Sequence, residues 1–299
     1  MGRAGRIIRP QCPGESNGRP SRVSCAAVRK LDGRVAVVTG AGSGIGRATA
    51  LLLAQKGCAL ALVDLDETSL AETATLVRAH GRRVSLHEAD VADRARMEHL
   101  PGEVLSDHGH VHILVNNAGV SVIGTLLEQK LDDFAWLMGI NFWGVVYGCK
   151  LFLPFLLAED EAQIVNISSM FGFVGIPTQI SYSASKYAVR GFSEALSSEL
   201  SGTHVGVTCV HPGGIRTNVV RASRVSSEGD LEDQRRTIEM FERFAHSPEK
   251  AARKIVRAIE RKQARVRIGP EAYLTDWAKR LFPVSTQALV GFGWRRRRV

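Results

Sequence analysis

From Arg34 onward the chain sets apolar runs of four to six residues between longer amphipathic stretches, and this rhythm limits the fold more than any other feature. An apolar run without alternation is a strand buried on both faces, and the stretches between such runs have the period of helices that would cover them. Strands are predicted over residues 35–39, 59–63, 84–88, 113–116, 163–167, 205–211 and 266–268. Seven strands with helices between them predict an α/β architecture: one doubly wound domain over residues 31–270, with a seven-stranded parallel sheet and helices on both faces. Ligands of such sheets lie beyond the carboxyl ends of the strands, so the residues after each strand come first.

At 299 residues the chain can bury a full core. Its net charge of +9 sits at the ends: residues 1–30 carry +6 and residues 295–298 add +4, leaving a body of −1. A nearly neutral body offers no face to a polyanion, so no nucleic-acid partner is expected. Residues 1–30 read as a basic extension without packed structure, although some organelle transit peptides are Arg-rich and poor in acid in the same way. The five cysteines, Cys12, Cys25, Cys58, Cys149 and Cys209, show no C-x-x-C spacing, and their odd number suits structural thiols in a reducing compartment. A cytoplasmic location and no metal are expected. Residues 136–158 approach a membrane span in length and composition, but Asn141, Lys150 and Pro154 interrupt them, and a buried helix is predicted instead.

Behind the sixth strand, residues 218–246 turn from polar to apolar at helical spacing through Ile238, Phe241 and Phe244, a pattern suited to a lid. Ser247-Pro248-Glu249 supplies an N-cap and a proline at the first helical position, opening a helix to about Lys262. Residues 271–299 form a helical C-terminal extension with a basic tail.

After the first strand stands Thr39-Gly40-Ala41-Gly42-Ser43-Gly44-Ile45-Gly46, then a helical run. Glycines there permit a tight turn and let a helix N-terminus, with free N–H groups, approach a pyrophosphate. G-x-G-x-x-G fits in neither register, since Ile45 and Arg47 fall at its third glycine; T-G-x-x-x-G-x-G fits. A bare strand-to-helix connection would look similar, but Asp64 ends the second strand 18 residues beyond Gly46. A carboxylate there accepts from adenosine ribose hydroxyls and repels a 2′-phosphate, and its neighbour Leu65 is not basic, so NAD is expected rather than NADP. Asp90 and Val91 close the third strand, within reach of an adenine amino group, and Asn116-Asn117-Ala118-Gly119 closes the fourth.

Tyr182 and Lys186 share one face at the start of a helix. A free tyrosine is a poor base at neutral pH, and lowering its pKa by about three units takes roughly 4 kcal/mol. One ammonium at about 4 Å with an effective dielectric near 20 supplies about that much, so Lys186, helped by an oxidised nicotinamide, is expected to suffice. Thirteen residues before Tyr182, Ser169 ends the fifth strand and offers a hydroxyl to a substrate oxygen; its neighbour Ser168 is the alternative. His211 follows a strand nearby and reads as packing.

In order and spacing, T-G-x-x-x-G-x-G, N-N-A-G, the serine thirteen residues before Y-x-x-x-K, and Pro212-Gly213-Gly214-Ile215-Arg216-Thr217 resemble the short-chain dehydrogenase/reductase family over residues 31–269. The resemblance implies a Rossmann-like fold and an NAD-dependent oxidoreductase that interconverts an alcohol with its ketone or aldehyde by hydride transfer. It implies Ser169, Tyr182 and Lys186 as catalytic residues, with Asn141 as a fourth that holds a water of the proton relay. Asn141 would also serve as a helix cap or kink. Lys186 would further hold the nicotinamide ribose, and Thr217, with Pro212, Gly213 and Ile215, would lie along the nicotinamide. A homodimer or homotetramer is implied through the helix over residues 132–157 and the one after Ser181. A sensor of NAD and NADH without turnover, or a scaffold of the same fold, is the competing class.

The substrate lies in variable segments. Ile238, Phe241 and Phe244, with Phe171, Phe173, Val174 and Ile176, suggest a lipophilic alcohol or ketone. In the extension, Trp277, Leu281, Phe282, Leu289 and Trp294 beside four arginines suit peripheral contact with an anionic membrane, or else packing on the protein's own core. Arg221, Arg224, Arg235 and Arg236 suggest instead an acidic substrate steered by the lid.

Overall fold

The run of apolar residues at 35–39 forms an interior strand of the sheet in the computed structural model, which describes residues 30–217, 219, 222–226 and 245–295. The N-terminal extension up to Arg29, the lid residues Arg221, Arg235, Arg236, Ile238, Phe241 and Phe244, and Arg296 to Arg298 lie outside the described residues. Seven strands, β1 (Val35–Thr39), β2 (Ala59–Asp64), β3 (Val84–Glu88), β4 (Ile113–Asn116), β6 (Ala162–Ile167), β7 (Val205–Pro212) and β9 (Arg265–Ile268), pair in parallel in the order β3-β2-β1-β4-β6-β7-β9. The strand order reverses between β1 and β4, and a crevice therefore opens beyond their carboxyl ends. Two short strands, β5 (Val122–Ile123) and β8 (Arg224–Val225), pair beside that crevice.

Helices α1 (Gly44–Gln55), α2 (Glu67–Arg78) and α7 (Pro248–Glu260) cover one face through a core that includes Val38, Leu53, Leu62 and Ile255. Helices α3 (Arg94–His108), α5 (Gly144–Leu156) and α6 (Ile180–Glu199) cover the other through Val37, Met97, Phe152 and Val189. Their starts are written locally. Asp66 accepts from Thr68 and Ser69 N–H, and the Ser247 hydroxyl accepts from Lys250 N–H behind Pro248.

Helix α4 (Leu131–Met138) runs into α5 through a π-helical turn at Gly139–Trp143. By length and composition the stretch Leu131–Leu156 passes for a membrane span. Leu137, Val145, Phe152 and Leu156 are instead buried in the protein, while Lys150 is exposed, which is the pattern of a core helix. At the C-terminus α8 (Pro270–Leu281) and α9 (Pro283–Arg295) form a hairpin against β9 and the crevice.

Candidate active site

A cavity of about 1440 Å³ occupies the crevice, and its two ends are built differently. At the first end the turn after β1 is shaped by backbone proximity. A side chain at Gly46 would bring its Cβ to 2.0 Å from the Gly40 carbonyl, so only glycine lets α1 pack this close to the turn. Gly40 itself has φ +64° and abuts Asn117 and Ala118 of the neighbouring turn. The Thr39 hydroxyl accepts from Asn117 N–H (3.0 Å) and Ala118 N–H (3.1 Å), and Asn117 Nδ2 donates to the Thr39 and Gly40 carbonyls. Two strand-ending turns are thereby fastened to each other.

Ser43 at the start of α1 makes no side-chain cap, and the first turn has no acidic residue, so its N–H groups are left for an anion. Ser43, Gly44 and Ile45 line the cavity there; Gly46 does not, and its part is packing. Asp64 also lines it. Its Oδ2 accepts from Gly42 N–H (2.7 Å) and its Oδ1 from Leu65 and Asp66 N–H (2.8 and 3.2 Å). A carboxylate has about four acceptor sites, so Oδ2 keeps room for a ribose hydroxyl. Arg47 on α1 is tied to Glu72 and to the Ser69 carbonyl. Asp90, Val91, Asn117, Ala118 and Gly119 continue the lining, as do Pro212, Gly213, Ile215 and Thr217 from the far side. Uncapped N–H groups, a carboxylate and a glycine cradle together fit a dinucleotide whose ribose carries no 2′-phosphate.

At the middle of the cavity Ser169, Tyr182 and Lys186 converge. Lys186 is buried and donates to the Ile167 carbonyl (3.0 Å); its Nζ stands 5.6 Å from the centre of the Tyr182 ring. Burial pushes the Lys186 ammonium down to about 8. Burial also holds the Tyr182 phenol above its ordinary range, with the Ser169 hydroxyl pulling against it. The expected lowering of the phenol by Lys186 together with an oxidised nicotinamide concerns the loaded site; in the protein itself desolvation outweighs the Ser169 hydroxyl. Ser168 is not the substrate-facing serine by its bonding, since its hydroxyl donates to the Lys186 carbonyl (2.8 Å) and fixes the helix behind the site. His211 is packing: Nδ1 meets the Ser169 carbonyl, the ring lies 4.2 Å from that of Phe173, and burial brings it down to about 4.

Asn141 sits in the π-helical turn and does not line the cavity. Its Nδ2 donates to the Val120 carbonyl (3.0 Å) and to Ser185 Oγ (3.1 Å), and its Oδ1 accepts from Val120 N–H (2.8 Å). The side chain fastens the turn after β4 to the helix carrying Tyr182, a positioning role consistent with the kinked helix; π-turns inside helices are frequent at functional sites.

The substrate end is made of side chains from distant segments. Phe171 packs edge-on against Tyr182 at 5.9 Å, and Ile176 lines the cavity, but Phe173 and Val174 are buried behind it, so two of the four apolar residues expected after Ser169 face elsewhere. Val219, Ala222 and Ala245 contribute from the segment between β7 and α7. Arg224 does not reach the cavity: it pairs with Asp133 and lies 3.6 Å over the Trp136 ring. From α9 come Leu289, Val290, Gly293 and Trp294, and Gln287 Nε2 donates to the Gly175 carbonyl (2.8 Å), tying that helix to the loop behind Ser169.

Glu271 was not singled out by the motifs. Its carboxylate accepts from Gly214 N–H (2.9 Å) and fills the space where side chains at Gly213 and Gly269 would lie, with Cβ positions at 2.0 and 2.2 Å. His246 stands 3.7 Å from the same carboxylate. His246 N–H also donates to the Gly214 carbonyl, so Glu271 sits against a backbone contact that joins the two segments. The cue in the sequence is the coincidence of Gly213, Gly269 and Glu271.

Elsewhere His110, His112 and Glu159 bring ligand-type atoms within 4.8 Å of one another at the amino ends of the strands. His112 Nδ1 accepts from Val35 N–H, which makes Nε2 the protonated nitrogen facing Glu159 and suits a hydrogen bond rather than a metal.

The chain belongs to the short chain dehydrogenase family, whose profile matches residues 34–228. It is an oxidoreductase fold family, and among its members a Mycobacterium tuberculosis protein classed as an oxidoreductase, SadH, is 46% identical over 267 residues, covering 88% of this chain and 96% of the relative. A 3-ketodihydrosphingosine reductase of Bacteroides thetaiotaomicron is 32% identical, covering 79% of this chain and 88% of its own. The crystal structure of a Burkholderia phymatum short chain dehydrogenase/reductase in complex with NAD superimposes with a TM-score of 0.79 at 34% identity, over 84% of this chain and 94% of that one.

Proposed function

We propose that this protein is an NAD-dependent oxidoreductase that interconverts a lipophilic secondary alcohol and its ketone. The observation that carries this reading is the meeting of Ser169, Tyr182 and Lys186 in the middle of one cavity, with Asp64 at one end and an apolar substrate chamber at the other. The nicotinamide cofactor, when bound, would supply the hydride acceptor for oxidation as NAD and the hydride donor for reduction as NADH. The substrate oxygen is held by the Ser169 hydroxyl and the Tyr182 phenol, and Tyr182 takes the alcohol proton in oxidation or gives it to the carbonyl oxygen in reduction. Lys186 holds the nicotinamide ribose, Asn141 keeps the Val120 turn and α6 in register for a relay water, and Thr217, beside Gly44, bonds the carboxamide. Asp64 selects NAD over NADP by its charge.

The lipophilic class is supported by Phe171, Ile176, Val219, Leu289 and Trp294 around the cavity and by the similarity to a 3-ketodihydrosphingosine reductase. A homodimer or tetramer accords with apolar residues left outward on the paired helices, Leu131, Trp143, Ile180 and Tyr187. A cytoplasmic location accords with three described cysteines that are buried and free.

The deciding experiment follows NADH fluorescence with NAD and with NADP over a homologous series of secondary alcohols. A kcat/KM that rises several-fold per added pair of methylenes, with NAD preferred, is the expected result. NADH binding without turnover of any alcohol or ketone, or a clear advantage for carboxylated or polyhydroxylated compounds, overturns the reading.

A further inference from the structure

An ordinary surface helix turns its apolar stripe inward; α8 does the opposite. Its inward face buries only Ala272 and the carboxylate of Asp276. Asp276 is 2% exposed and accepts from Arg267 (2.7 Å) and Arg280 (2.9 Å), and Tyr273 lies 4.4 Å from the Arg267 guanidinium. Its outward face is apolar: Leu274, Trp277 and Leu281, spaced to share one stripe, are exposed by 73%, 58% and 61%. The stripe continues through Phe282 and Val284 onto α9, at 62% and 79%. The large exposed side chains are contiguous along the hairpin, and such a patch marks a surface that something covers.

Charge decides what covers it. Residues 270–299 contain six basic residues, Lys279, Arg280 and residues 295–298, against two acidic ones, Glu271 and Asp276. Both acids are turned inward, one onto Gly214 and the other onto the arginines of β9 and α8. Lys279 and Arg280 lie beside the apolar stripe, and residues 295–298 add four positive charges in sequence at the end of α9. A second copy of the same face would oppose like charges, whereas an anionic bilayer matches the cations and accepts the tryptophan and leucines at its interface. The position fits as well. Leu289, Val290 and Trp294 of the same hairpin line the cavity, so the docked face lies beside the substrate chamber.

We propose that the α8–α9 hairpin docks the protein on an anionic membrane surface through Leu274, Trp277, Leu281, Phe282 and Val284, with Lys279, Arg280 and the terminal arginines on the lipid headgroups. The hairpin lies in the interface and does not span it.

The test uses the full chain and two kinds of vesicle, pure phosphatidylcholine and an equal mixture of phosphatidylcholine and phosphatidylglycerol. Co-sedimentation is expected with the mixture and at least about tenfold weaker with phosphatidylcholine alone, and high salt should release the protein. Trp277→Ser with Leu281→Ser, and separately the replacement of residues 295–298 by glutamine, should each lower binding at least about tenfold while NADH binding and the mass in light scattering stay unchanged. Equal sedimentation of wild type and both variants, or absence of sedimentation with anionic vesicles, overturns the proposal. So does a change of oligomeric mass in the serine variant, because the face then joins copies of the chain. Neither substrate nor turnover enters, so the outcome is separate from that of the proposed reaction.

Discussion

The two ends of the cavity solve the same problem, holding a ligand beyond the ends of parallel strands, by different means. At the nucleotide end the walls are backbone: Gly46 against the Gly40 carbonyl, Asn117 and Ala118 on Thr39, Gly42 N–H on Asp64. At the substrate end the walls are side chains from α9, the segment between β7 and α7 and the loop after Ser169, joined by single bonds such as Gln287 to Gly175. A backbone wall admits one ligand shape and tolerates little change. A side-chain wall can be altered residue by residue, and the substrate is set there.

The sharpest test of this division lies where the ends meet. Tyr182→Phe removes only the proton-transferring oxygen, so kcat is expected to fall by about 10²–10⁴-fold with NADH affinity nearly unchanged. Steady-state rates and NADH titration measure the two separately; residual turnover above about a tenth of wild type would assign the acid/base role elsewhere. Next comes one substitution made at both ends. Gly46→Ala places a Cβ at 2.0 Å from backbone, and the overpacking of about 1–3 kcal/mol should appear as a lower Tm and NADH binding weakened about tenfold or more. Gly175→Ala meets only the Gln287 amide at 3.7 Å and should change neither. Similar losses at both positions would dissolve the contrast.

Asp64→Ala is expected to raise KM for NAD about tenfold with kcat little altered, because ribose contacts are alike in ground and transition states. The ratio of kcat/KM for NAD and NADP should narrow accordingly, and an unchanged ratio would remove Asp64 as the selector. Glu271→Gln keeps an acceptor for Gly214 N–H and should stay near wild type, whereas Glu271→Ala should raise KM for NAD a few-fold, matching the roughly 1 kcal/mol that one ordinary hydrogen bond contributes net. Equal effects of the two would show that volume, not bonding, matters at that position. The smallest effect is reserved for Trp294→Ala, which should lower kcat/KM about two- to fivefold for long alcohols and leave short ones alone. A uniform drop across chain lengths would mean that the helix braces the fold rather than the substrate.

The same division governs what could be read from the sequence. Each of the seven predicted sheet strands lies within one residue of its observed ends, since burial on both faces leaves an unbroken apolar run. The nucleotide end was legible for a related reason: a turn with one permitted backbone needs particular residues at fixed spacing. The break in the long helix was less visible, because Gly139, Asn141 and Gly144 in an apolar run do not announce a π-helical turn. The apolar stretch after Ser169 was legible in composition but not in direction, and Phe173 turned toward His211 instead of the cavity. Contacts such as Gln287 with Gly175, 112 positions apart, leave no local trace. Glu271 belongs with them, for its partners Gly214 and His246 come from other segments.

Asp64 also bears on how this protein can be re-engineered. The carboxylate that would discriminate between cofactors is at the same time the acceptor for Gly42, Leu65 and Asp66 N–H. Selectivity and loop geometry are therefore not separable design variables here. A single replacement aimed at accepting a 2′-phosphate leaves three backbone donors to find new partners, and the turn that should receive the phosphate relaxes in the same stroke. A designer would start from two coupled changes: a serine or asparagine at position 64 to keep an acceptor for Gly42 N–H, and an arginine at exposed position 65 to meet the phosphate. Drift toward the other cofactor by one-step substitutions is correspondingly slow, because each intermediate gives up order in the loop before it gains a charge.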